Sequence, residues 1–116
     1  MIILYGINTC STVKKARHWL TSNQLDYQFH DVRVAGLSVE LLENFAARVD
    51  DWQRLLNKKS TSWRELSSQQ QHLALTIENA LPLIVAHPTL LKRPVLDSGT
   101  HLFIGFDVAI YERNLL

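Results

Sequence analysis

The chain has 116 residues, 47% of them apolar and 20% charged, with twelve Lys and Arg against eleven Asp and Glu. That length suits one domain, usually roughly 100–150 residues, and the formal charge of +1 argues against a dedicated nucleic-acid binder, which is as a rule strongly basic. No apolar run approaches the roughly 20 residues of a membrane-spanning helix, and the opening MIILYG lacks the basic start and long apolar core of a signal peptide, so a cytoplasmic monomer with no membrane partner is expected.

In chain order, Ile2–Tyr5 is short, apolar and β-branched at its start, and reads as a buried strand ended by Gly6. Ser11 to Asn23 is helical, with Val13, Ala16 and Leu20 on one face and Asn23 as the helix end, a residue that tolerates the left-handed conformation. Leu25–Asp31 alternates apolar and polar residues as a second strand. Strand, helix and strand this close together predict a βαβ unit with parallel strands.

After Gly36, Ser38 caps a predicted helix carrying Val39, Leu42, Phe45, Ala46 and Val49, and Trp52, Leu55 and Leu56 suggest a further helical turn. Ser62 with Glu65 and Ser67 with Gln70 both fit the capping-box spacing. The second box is expected to open one helix through Leu73, Ile77 and Leu81. Pro82 is expected to start a separate short helix that Pro88 ends. Strands at Pro94–Leu96 and His101–Ile104, joined by the turn Asp97-Ser98-Gly99-Thr100, predict a hairpin. Asp107 then caps a closing helix over 108–113. The order β-α-β…β-β-α is that of the thioredoxin fold, an α/β core over about 1–35 and 92–116, with an inserted all-helical block over about 36–91 in the same single domain.

Cys10, the only cysteine, falls at the first strand-to-helix junction. A helix start presents unpaired N–H groups and about half a positive charge, both of which favour a thiolate. Lys14 follows four residues on and projects from the same helix face. Cys10 is thus either a buried structural thiol or a reactive one, and its polar Asn-Thr-Cys-Ser-Thr setting favours reactivity. Position 13 is Val, so there is no Cys-x-x-Cys pair and any disulfide is intermolecular. Glutathione is the expected cytoplasmic partner, able to resolve a mixed disulfide without a second protein thiol.

The segments LYGINTCSTVKKARHWL, YQFHDVRVAGL, LLNKKSTSWREL and HPTLLKRPVL, in that order, resemble the arsenate reductase-like (ArsC) family across essentially the whole chain, nearest its small YffB-type reductase branch. The same superfamily holds the Spx transcriptional regulators. The resemblance implies a thioredoxin-like fold with an inserted helical subdomain and Cys10 as redox nucleophile. It further implies glutathione as co-substrate, with no bound cofactor, and glutaredoxin as a possible recycling partner. Of the family's three anion-binding arginines, one is present as Arg93 before Pro94. A second is replaced by Asn57, with Lys58 and Lys59 nearby as partial electrostatic substitutes, and the third falls near Ile104 and is absent. Two lost guanidinium forks point away from arsenate and toward another substrate of a glutathione-dependent thiol reductase. A protein-interaction module of the Spx kind and a true arsenate reductase are the alternatives.

Around the cysteine, Asn8 either donates its amide to a thiolate or substrate oxygen or stabilises the loop through an Asx turn. The Thr12 hydroxyl either reaches the sulfur or caps the first turn. Lys14 either aids electrostatically or is solvated. Arg93 either binds a carboxylate or oxyanion as a fork or ion-pairs with Asp31 or Asp97. The resemblance implies that Pro94 is cis and faces the cysteine. His30 and His101 are the candidate proton donors, no histidines fall at metal-ligand spacing, and Trp19, Trp52 and Trp63 are expected to pack.

Overall fold

In a computed structural model describing residues 1–116, the chain divides into two compact units, Met1–Asp31 with Arg93–Leu116, and Val32–Lys92. The first opens with strand β1 (Ile2–Gly6), helix α1 (Ser11–Ser22) and strand β2 (Tyr27–Asp31). β1 and β2 are parallel, with Ile2 opposite Tyr27 and Gly6 opposite Asp31. Parallel neighbours need a long crossover, and α1 supplies it. The helix ends at Asn23, its C-cap, as expected, but the left-handed conformation falls one residue later. Asn23 stays at φ −96° and bonds its side-chain amide to the Trp19 carbonyl at 2.8 Å, while Gln24 takes the left-handed conformation at φ 58°. The Leu25 N–H then closes onto the Leu20 carbonyl, so β2 begins at Tyr27.

The second unit is helical: α2 (Val39–Ala47), a 3-10 turn at Trp52–Leu55, α3 (Thr61–Arg64), α4 (Ser68–Leu73), α5 (Ile77–Ala86) and a second 3-10 turn at Pro88–Leu90. Ser38 caps α2 by accepting from the Leu41 N–H, and Ser67 with Gln70 forms a complete capping box on α4. Three expectations fail here. Ser60, not Ser62, caps α3, accepting from the Trp63 N–H at 3.1 Å, whereas Ser62 lies within the helix against the Thr89 hydroxyl. The stretch from Ser67 to Leu81 is two helices, because Thr76 turns extended at φ −115°, ψ 144° and restarts the chain at Ile77. At the break the small Ala74 is buried, while the larger Leu73 and Leu75 are exposed. Pro82 therefore sits inside α5 rather than at a start. Pro82 has no N–H to offer the Glu78 carbonyl, and both are exposed residues, where water can take that place. An isolated bridge between Leu56 and Leu91, flanked by Asn57 N–H to Leu90 carbonyl and Lys92 N–H to Leu55 carbonyl, ties the end of this unit back to the stretch after the first 3-10 turn.

The chain then returns to the first unit as β3 (Val95–Asp97), β4 (Leu102–Ile104) and α6 (Val108–Leu115). β3 lies antiparallel to β1, and β4 antiparallel to β3, in the sheet order β2-β1-β3-β4. Asp107 caps α6, accepting from the Ala109 and Ile110 N–H groups. Leu4 and Leu96 from the sheet, Val13, Ala16 and Leu20 from α1, and Tyr111 from α6 form the buried core. Each fully buried leucine contributes roughly 1.5–3 kcal/mol. The topology is thioredoxin-like, and it brings the α1 start and the segment before β3 to neighbouring places in one unit.

Candidate functional site

The site is positioned by a close approach. A Cβ on Gly6 would lie 2.7 and 2.8 Å from the two Val13 methyl carbons, nearer than carbon atoms pack, so a bare glycine lets the end of β1 pass the first turn of α1. The chain then reverses in a turn closed by the Cys10 N–H on the Ile7 carbonyl at 3.1 Å, with Asn8 and Thr9 at its exposed tip. Cys10 is the N-cap of α1, extended at φ −74°, ψ 126°, and its carbonyl accepts the first helical bond from the Lys14 N–H. Its sulfur stands where first-turn N–H groups have no partner within the helix.

Cys10 is half-buried. Burial pushes its thiol up. The N–H groups of Val13 and Thr12 pull it down, joined by the hydrogen bond and charge of the Arg93 guanidinium, and the balance leaves the thiol below its ordinary value. The sulfur makes no side-chain cap hydrogen bond, so these groups act by favouring the charged form. Arg93 reaches it from the far end of the sequence, where it precedes a cis bond to the buried Pro94, and its Nε is buried. The Pro94 carbonyl is tied to the Gly105 N–H at 2.8 Å. This arrangement places a thiol shifted toward ionisation beside one cation, Arg93, a setting suited to attack on a sulfur or oxyanion centre.

The other residues singled out in the sequence fall as follows. Thr12 contributes through its backbone N–H. Asn8 is exposed at the turn. The exposed Lys14 lines a groove along α1, and the cation acting on the sulfur is Arg93. Lys58 and Lys59 are exposed residues of the helical unit. Lys58 Nζ stands 5.7 Å from the centre of the Trp63 ring, and the Lys59 N–H bonds to Asn57 Oδ1. Asn57 thus serves the turn before α3. Ile104 is half-buried in β4. His30 packs its ring on Tyr5 at 4.9 Å, and His101 Nδ1 lies 3.1 Å from the Thr100 hydroxyl. No group of three His, Cys, Asp or Glu side chains could hold a metal ion, and no helix is long and apolar enough to cross a membrane. Sequence reasoning missed Gly6 as the spacer and the Val13 amide as a sulfur-directed donor. A glycine ending a strand a few residues before a helix-capping cysteine is the signal that could have found both.

Comparison with known proteins gives the context. Residues 5–114 match the model of the ArsC family. An uncharacterized protein of Haemophilus influenzae is 38% identical over 97% of this chain and 96% of its own length. The global transcriptional regulator Spx 2 of Bacillus anthracis is 27% identical over 92% of this chain and 81% of its own length. Among solved structures, a YFFB protein superposes with a TM-score of 0.94 at 37% identity, covering 100% of both chains.

Proposed function

Because this chain belongs to the ArsC family, we propose that it is a glutathione-dependent thiol reductase with Cys10 as its redox nucleophile. The observation that carries the proposal is the Cys10 thiol held below its ordinary value at the start of α1 beside Arg93. The thiolate attacks one sulfur of an oxidised substrate disulfide. A mixed disulfide with Cys10 forms, and the other substrate sulfur leaves as a thiolate. Glutathione thiolate then attacks the Cys10 sulfur, releasing the second substrate thiolate and leaving Cys10 bonded to glutathione. A second glutathione thiolate attacks that glutathione sulfur, giving glutathione disulfide and regenerating Cys10. One substrate disulfide is reduced and two glutathiones are oxidised to one disulfide, so atoms and electrons balance.

Arg93 supplies two roles. Its hydrogen bond and charge favour the ionised form of the sulfur. Its planar fork suits a carboxylate, such as those of glutathione, better than a lysine would. Asn57 and Ile104, standing where the resemblance places further arginines, disfavour arsenate as substrate. Replacing Cys10 with Ser is expected to abolish glutathione-coupled reduction of a small mixed disulfide, followed as glutathione disulfide formed. Surviving turnover would overturn the mechanism.

A second reading, a protein-interaction module, is favoured by the similarity to the Spx regulator. Val13 excludes a Cys-x-x-Cys switch in this chain. That reading requires a stoichiometric protein partner retained equally by the Cys10→Ser chain.

A further inference from the structure

An open groove of about 550 Å³ runs along α1, lined by Lys14, Lys15, His18, Trp19, Ser22 and Phe106. Its aromatic side is fixed in advance. Trp19 and Phe106 both pack edge-on against the buried Tyr111, at 5.4 and 5.0 Å between ring centres. The Tyr111 hydroxyl donates to the Gly105 carbonyl, next to Phe106, at 3.2 Å. The other side carries the cations Lys14 and Lys15 with His18 beside them; all three are exposed, no acidic residue lines the groove, and α1 contains none. The positive charge along this groove therefore has no carboxylate within it. Lys14 N–H bonds to the Cys10 carbonyl, so the groove begins one helical turn from the nucleophile.

We propose that this groove docks an acidic segment of a partner protein, seating one large apolar side chain against Trp19 and Phe106 and placing flanking carboxylates at Lys14 and Lys15. The aromatic surface calls for a side chain that gains by leaving water, and the lysines call for negative charge beside it. An acidic peptide with a single leucine or phenylalanine meets both demands. A nucleic acid meets only the second well, and a chain of net charge +1 has little general attraction for a phosphate backbone. The proposal does not depend on the redox chemistry of Cys10, although a partner bound there lies beside it.

The test uses the full chain carrying Cys10→Ser, so that failure of the thiol mechanism and failure of docking stay distinguishable. An acetylated peptide of five Asp and Glu around one Phe is titrated and followed by amide and indole NMR shifts. The expected result is saturable shifts confined to α1, the Trp19 indole and Phe106. Binding should weaken on the order of tenfold in Lys15→Gln/His18→Gln and fall at high salt. The same peptide with Gln and Asn for its acids should not bind. Equal binding of the neutral peptide, tighter binding of an oligothymidylate, concentration-dependent shifts without any peptide, or no localised shifts would each overturn the proposal.

Discussion

At the scale of single residues, reactivity rests on the contest between burial, which raises the Cys10 thiol, and the Val13 and Thr12 amides with Arg93, which lower it further than burial lifts it. Arg93 supplies both a hydrogen bond and a charge to that balance. Arg93→Gln removes the charge and is expected to move the midpoint of Cys10 alkylation to higher pH. Arg93→Lys keeps the charge without the planar fork and should fall between Gln and the wild type. An unchanged midpoint in Arg93→Gln would remove Arg93 from the site. The same balance sets a sign for stability. A thiol with a depressed folded-state value adds stability as pH rises through that value, completely so above the unfolded value near about 8.5, and loses it as pH falls. The stability difference between wild type and Cys10→Ser should therefore widen as pH climbs toward that value, as read by urea unfolding at a series of pH values.

At the scale of elements, the junction between β1 and α1 is a packing problem that Gly6 solves. Gly6→Ala would place a methyl carbon under 3 Å from the Val13 methyls. The first turn of α1 must shift, at a cost of about 1–3 kcal/mol for an overpacked site. The Val13 and Thr12 amides would then lose their aim, so the variant is expected to lower the melting temperature and raise the Cys10 alkylation midpoint together. A stability loss with an unmoved midpoint would separate the junction from the chemistry. Much of this scale was legible beforehand. The spacing of Val13, Ala16 and Leu20, the hairpin around Gly99, and the caps Ser38, Ser67 and Asp107 are local signals that act locally. The unread parts depend on contacts or backbone choices no short window carries. Ser62 satisfies the capping-box spacing as well as Ser60 offers a cap, but Ser62 pairs with the distant Thr89. Pro82 reads as a helix start unless the restart at Thr76 is known. The approach of Arg93 to Cys10 spans most of the chain and was legible only through family resemblance. Lys14 has the right spacing from Cys10 but lines the groove, because a residue one turn into a helix need not turn back to its cap.

At the scale of the whole molecule, the unit that carries Cys10 is assembled from both ends of the sequence. β1 is central, paired with β2 on one side and with β3 on the other. A chain ending at Lys92 loses β3, β4, α6 and Arg93 together, along with the buried Leu96 and Tyr111. It is expected to lack a cooperative thermal transition in far-ultraviolet circular dichroism, and a sharp transition like that of the full chain would refute this dependence. The distant Arg93 adds to the local Val13 and Thr12 amides in lowering the thiol, so the full fold contributes to the shift. The most direct test is the rate of Cys10 alkylation as a function of pH, measured on the native chain and again in concentrated urea. The account predicts a native midpoint clearly below the free-thiol value of about 8.5, returning to that value on unfolding. Coincident native and unfolded profiles, or a native thiol that reacts only at higher pH, would contradict it.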